Sequence, residues 1–223
     1  YDVVLGFKQN AFKHKWDVDI IPATPQLQAE EKYDTYILKN GYCGAFLVGF
    51  ALHDEWMQQL KNTTMPTVLF DNYIENNPNV AYLGTDSYEG IDMAVKHLHN
   101  LGHKKIAFIN GSLFSLVSDQ RQEAFENSMR DAGLEIYPEL MGHGYYIPET
   151  AQYYVSNFIA AGATAILCAS DTIAKGVISE CQLHGFNVPN DISVVGFDDV
   201  KFAAALTPPL TTVRQERNDL EIG

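Results

Sequence analysis

Four aspartates stand where short apolar runs end. They are Asp71 after Val68-Leu69-Phe70, Asp86 after Leu83-Gly84, Asp171 after Cys168-Ala169-Ser170, and Asp198 after Val194-Val195-Gly196-Phe197, with Asp199 beside it. A carboxylate at a strand tip can accept two hydroxyl hydrogen bonds from a polyol. Asp86 and Asp171 each precede a helical pattern, so they also read as N-caps that accept backbone N–H bonds. Asp198 has no helix directly after it, which favours binding. Arg121 opens the pattern Arg-Gln-Glu-Ala-Phe after the loop Gly111 to Ser118, and its fork of donors suits a ligand hydroxyl or carboxylate. The competing reading is an exposed pair with Glu123 or Glu126, against which Ala124 and Phe125 argue that Arg121 lies off the outermost face. Tyr145 and Tyr146, ahead of Ile147-Pro148-Glu149, read either as a loop ring that stacks on a sugar or as core aromatics.

Motifs for catalysis are missing: the sequence has no Gly-x-Ser-x-Gly elbow, no His-Glu-x-x-His, no Walker loop and no Gly-x-Gly-x-x-Gly after a strand. His97 and His99 are two apart on one helical pattern and face different sides, so they make no metal pair. Cys43, Cys168 and Cys181 form no Cys-x-x-Cys pair, and an odd count of unpatterned cysteines fits a reducing, cytoplasmic setting. Cys43 and Cys168 lie in apolar stretches and read as small buried hydrophobes. No enzyme, cofactor or metal is expected. Against 15 Lys+Arg stand 28 Asp+Glu, a formal charge of -13, which repels phosphate and anionic lipid over most of the surface. No apolar run is long enough for a membrane helix, so no membrane partner is expected.

Positioning these residues needs regular elements, and strand-like runs alternate with amphipathic ones along all 223 residues. The strand candidates are Asp2 to Gly6, Asp17 to Ile21, Gly44 to Val48, Thr67 to Phe70, Val80 to Gly84, Lys105 to Asn110, Ala165 to Ala169 and Ile192 to Phe197. Helical patterns run from Glu30 to Asn40, His53 to Asn62, Ser87 to Leu101, Asp119 to Ala132, Glu149 to Ala161 and Asp171 to His184. Gly102 and Gly133 stand just beyond two of them, where a left-handed residue can satisfy free carbonyls. Such alternation requires crossover helices over parallel strands, so the fold class is α/β, and sheets of this kind bind ligands beyond their strand carboxyl ends. The length suits two lobes.

Several segments together resemble the effector-binding region of the lactose-repressor/galactose-repressor (LacI/GalR) family. They are Leu98-x-x-Leu-Gly-His-Lys-Lys-Ile-Ala-Phe-Ile-x-Gly, Arg121, Ala169-Ser-Asp-x-x-Ala-x-Gly, Val188-Pro-Asn-Asp-Ile-Ser-Val-Val-Gly-Phe-Asp-Asp and Thr207-Pro-Pro-Leu-Thr-Thr-Val-Arg-Gln. The resemblance implies two Rossmann-like lobes of the periplasmic-binding-protein type I fold, with a small-molecule effector, commonly a sugar or a nucleobase-like compound, in the cleft between them. The lobes are expected at 1–103, completed by 213–223, and at 104–212. It also implies that Arg121 and Asp198 hold the effector, that Tyr146 stacks on it and that Ser170 contributes. Asp71, Asp86 and Tyr88 would line the same cleft, and Asp171 would join them. A homodimer is expected, with DNA bound only through a helix-turn-helix headpiece that these residues do not include. Where the family has a loop and most of a helix, Phe7 to Asn10 and Ala11 to Trp16 abut, so a break or an uncovered lobe face is expected there.

The resulting expectation is the effector-binding and dimerisation region of a transcription regulator. The rival is a solute-binding protein of a sugar uptake system, against which Pro208 to Val213 speaks, being closer to the regulators. With a charge of -13 and no DNA-reading motif, this chain alone should show no sequence-selective shift of any DNA duplex in a gel assay at low salt. A salt-dependent, sequence-selective shift would contradict that reading.

Overall fold

The computed structural model describes residues 2–84 and 87–214. Two parallel sheets organise it. The first has the order β1-β2-β3 and the second β5-β4-β6-β7-β8. In the first, β1 (Ala45–Val48), β2 (Thr67–Phe70) and β3 (Val80–Leu83) pair in parallel. The second holds β4 (Ile106–Asn110), β5 (Met141–His143), β6 (Ala165–Cys168), β7 (Ser193–Asp198) and β8 (Thr211–Arg214). Two lobes of parallel α/β construction are therefore present, and six of the expected strands fall where their runs of apolar residues lie.

The second lobe is a full three-layer sandwich. Along β4, Ala107 and Ile109 face one core with α7 (Val155–Ala160) and α8 (Asp171–Leu183), while Ile106 and Phe108 face another with α5 (Ser87–Asn100) and α6 (Leu116–Asp131). This two-residue alternation, with every position of β4 buried, is what a strand covered on both faces requires. On the α5/α6 side Phe108 stacks on Phe125 at 4.7 Å. The helix stops are as expected: Gly102 and Gly133 take φ 93° and 69°, and His103 and Leu134 donate back to the Leu98 and Met129 carbonyls.

The first lobe is thinner. One face of its sheet packs Leu47 and Leu69 against Tyr33 and Ile37 of α3 (Tyr33–Lys39) and against Trp56 and Met57 of α4 (Glu55–Gln59). A short helix α2 (Pro25–Glu30), capped by the Thr24 side chain, precedes them. The other face meets α1 (Asp2–Lys13), whose Phe7 stacks on Phe46 at 4.7 Å. Beside this contact a groove of about 1000 Å³ runs between α1, residues 16–23 and β1.

Several expectations are corrected. Asp2 to Gly6 is the first turn and a half of α1 rather than a strand, and the abutting segments Phe7 to Asn10 and Ala11 to Trp16 largely share that helix. Val4, Phe7 and Ala11 recur at helical spacing and line the groove, so the helical period outweighs the β-branched pair Val3-Val4. Asp17 to Ile21 forms no regular element. The lobe boundary is not at 103: α5 packs on the second sheet, where Gly90 lets Phe197 and Val213 approach. Of the return to the first lobe expected from Leu210 to Gln215, the described part, Thr211 to Arg214, pairs with β7 in the second sheet, and 215–223 lie outside the described residues. The strand β5 had no expectation, being three residues long with one of them glycine. Cys43 is exposed rather than buried, whereas Cys168 and Cys181 are buried.

One close approach gives a direct test of this packing. Gly176, inside α8, lies against the Pro148 carbonyl, into which any Cβ would run. Gly176→Val is expected to lower the unfolding free energy by about 1–3 kcal/mol, read from the urea midpoint at constant m-value.

Candidate functional site

The described strands run parallel within each sheet, and the lobes touch beyond the carboxyl ends of β1 and β4: the Leu52 amide donates to the Phe114 carbonyl at 3.0 Å, and the His53 ring meets the Phe114 ring edge-on at 5.3 Å. Leu52 and His53 follow β1, and Phe114 follows β4. The carboxyl ends of the two sheets thus face a common cleft, the place where open parallel sheets hold ligands.

Backbone strain concentrates on this rim. Asp71 after β2, Phe114 after β4, Tyr145 and Tyr146 after β5, and Asp198 and Asp199 at the end of β7 all have positive φ, from 49° to 112°. Each such non-glycine residue costs on the order of 1–3 kcal/mol and persists only where its surroundings overdetermine it, as at ligand clamps.

Arg121 sits below the rim, 4% exposed. Its position on the second turn of α6 turns it inward: Nη1 donates to the Ala169 carbonyl at 2.5 Å, Nε to the Ser87 hydroxyl at 3.2 Å, and the guanidinium lies 4.2 Å from the centre of the Phe197 ring. It is therefore not paired at the surface with Glu123 or Glu126. Phe197 immediately precedes Asp198, so the buried cation supports the strand end that carries the carboxylate. Tyr146 is half-exposed and its hydroxyl lies 3.4 Å from that of Ser118. Gly111 makes this possible, since a Cβ there would occupy the place of the Tyr146 phenol. One tyrosine thereby bridges the loops after β4 and β5.

In the first lobe, Asp71 is placed by its amide, which donates to the Leu83 carbonyl at 2.8 Å. Next to it Asn72 is buried, its amide nitrogen donating to the Phe50 carbonyl at 2.7 Å. Tyr88 is exposed on the first turn of α5, and so belongs to the second lobe. Asp86 lies outside the described residues.

Ser170 and Asp171 differ from expectation. Ser170, not Asp171, caps α8: its hydroxyl accepts from the Ile173 amide at 3.2 Å. Asp171 is fully buried, accepting from the Val200 amide at 2.8 Å and the Thr212 hydroxyl at 2.5 Å. Burial pushes its carboxyl above the ordinary value, and the hydrogen bonds from Thr212 and Val200 oppose that rise. With both oxygens engaged inside the lobe, it has no face left for a ligand.

The sequence reading missed Phe114, Gly111, Thr212 and Arg214. The last two had a signal: Thr212 and Arg214 are two apart on β8 and share a face, and Arg214 donates to the Asp199 carboxylate at 2.5 Å. Among the described residues no group of three His, Cys, Asp or Glu could hold a metal ion, and no helix is long and apolar enough to cross a membrane.

The periplasmic binding protein-like domain family matches residues 95–220, more than half of the chain. Over 222 residues, 98% of the chain, it is 34% identical to the HTH-type transcriptional repressor PurR of Pasteurella multocida (strain Pm70), and it spans 66% of that relative's length. Among solved structures, a sugar-binding transcriptional regulator of the LacI family from Escherichia coli matches with a TM-score of 0.69 at 25% identity, over 80% of this chain and 65% of that one. The transcription regulator CcpA of Lactococcus lactis shares the fold more fully, with a TM-score of 0.84 at 24% identity over 96% of this chain and 79% of that one. The chain belongs to the periplasmic-binding-protein-like domain family, in the form that LacI/GalR regulators use as their effector-binding region.

Proposed function

We propose that this chain is the sensor of a ligand-gated transcription regulator: it binds a small polyol, a sugar, between its two lobes, and the change in lobe arrangement is passed through a homodimer to a separate DNA-binding headpiece. The observation that carries the reading is the strained backbone at non-glycine residues on the strand ends of both lobes, Asp71, Tyr146 and Asp198 among them. The similarity to a repressor and to a sugar-binding regulator supports it.

In this reading Asp198 accepts hydroxyl hydrogen bonds and Tyr146 covers an apolar sugar face. Asp71 adds a second acceptor from the opposite lobe. Arg121 contributes its positive field from below, through Phe197, rather than by an exposed contact. Tyr88 and Ser170 complete the expected lining. Because Asp71 and Asp198 belong to different lobes, a ligand that bonds both has a differential affinity for the closed arrangement, and that difference is all it can use to shift the equilibrium. The chain works by binding, not by catalysis, and calls for no metal or cofactor.

The test is calorimetric titration of the chain with pentoses, hexoses, disaccharides and nucleobases. A hydrogen bond to a charged group is worth roughly 1.5–3 kcal/mol, so Asp198→Ala is expected to weaken binding of the compound that binds by about ten- to a hundredfold. Tyr146→Ala is expected to weaken it by about two- to tenfold, the value of an aromatic contact. Unchanged affinity in Asp198→Ala would remove the site from this cleft.

A further inference from the structure

The turn from Asp198 to Val200 presents the acidic end of β7, and its backbone is unfavourable, with φ 112° at Asp198 and 49° at Asp199 on consecutive non-glycine residues. Four polar contacts hold it. Asp171 Oδ2 accepts from the Val200 amide at 2.8 Å, and Asp171 Oδ1 accepts from the Thr212 hydroxyl at 2.5 Å. The Thr212 oxygen in turn accepts from the Asp199 amide at 3.4 Å, and Arg214 pairs with the Asp199 carboxylate. Arg214 is largely exposed and its pairing is screened by solvent. The less exposed part of the grip therefore converges on Asp171: the Asp199 N–H donates to the Thr212 hydroxyl, which donates to one carboxylate oxygen, and the Val200 N–H donates to the other. Gly196 belongs to the same device, because a Cβ there would collide with the Asp171 carboxylate.

We propose that Asp171 and Thr212 are a positioning pair for effector recognition: from beneath the site, without touching the ligand, they hold the strained turn in the conformation that presents Asp198. This rests on the reading of the rim as an effector site. The chemistry accounts for the residue types. Two donors converge on residue 171, and a carboxylate can accept both, whereas an asparagine offers one acceptor oxygen. Thr212 must donate one bond and accept another, which a hydroxyl does and a methyl does not. Because Thr212 lies on β8, a shift of that strand moves the turn with it.

Thr212→Val keeps the side chain's shape and removes the hydroxyl; Thr212→Ser keeps the hydroxyl. Amide hydrogen exchange in the Val variant should be at least tenfold faster at Asp199 and Val200, unchanged in β6 and the middle of α8, and restored to wild type in the Ser variant. Calorimetry with D-glucose, D-galactose, D-ribose, cellobiose, adenine and guanine provides the second arm. Whichever of these binds wild type should bind Thr212→Val at least tenfold more weakly and Thr212→Ser with wild-type affinity. Unchanged exchange at the turn, or faster exchange spread equally through β6 and α8, overturns the positioning role, as does an affinity that survives in Thr212→Val. A wild-type chain that binds none of the six compounds overturns the effector reading itself.

Discussion

The second lobe is built around one buried cation. Arg121 is almost wholly removed from water, and a guanidinium in that position is tolerable only if its surroundings replace its hydration. The Ala169 carbonyl at the end of β6, the Ser87 hydroxyl at the start of α5 and the face of the Phe197 ring on β7 do so. Each comes from a different element, so satisfying one charge fixes α5, α6, β6 and β7 relative to one another directly under the rim. The same requirement explains why α5 belongs to this lobe: Ser87 on its first turn completes the cation's shell, and Gly90 one turn later admits Phe197 and Val213.

On that platform the acidic rim is assembled in two tiers. The lower tier is buried and fully bonded: Arg121 under Phe197, and Asp171 between Val200 and Thr212. The upper tier is strained and partly open to solvent, with Asp198, Tyr145 and Tyr146 in left-handed backbone conformations. Strain in the upper tier is sustained by bonding in the lower one. Charge follows the same division in the lower tier, where the Arg121 cation and the Asp171 carboxyl both lie inside the lobe.

The two lobes are unequal in how they are held. In the second lobe β4, β6 and β7 are covered on both faces, whereas the described part of the first has three strands, one well-packed face and a groove under α1. Their contact at the strand ends includes one backbone hydrogen bond and one ring pair, both centred on Phe114. A contact of that kind is readily made and broken, and hinge closure about such a cleft is the ordinary way in which a ligand couples two lobes.

The sequence by itself determined whatever depends on short-range pattern. Alternating strand and helix periods established parallel α/β construction, six strands lay in their apolar runs, and Gly102 and Gly133 marked helix ends because a left-handed residue is needed there. The apolar neighbours Ala124 and Phe125 correctly turned Arg121 inward. The tertiary structure decided what depends on which surface is available to pack against. Asp2 to Gly6 has strand-forming residues, yet it lies across the β1 face as a helix because Phe7 finds Phe46 there. Leu210 to Gln215 read as the crossing back to the first lobe, yet Thr211 to Arg214 within it is an edge strand because β7 offered it a free row of hydrogen-bonding groups. Asp171 carried a strand-end pattern that also read as an N-cap, yet it is fully buried with both oxygens bonded, and Ser170 caps the helix instead. Pattern places a carboxylate at a strand end; only the packed neighbours, here Val200 and Thr212 on segments far along the chain, determine whether its oxygens are already engaged.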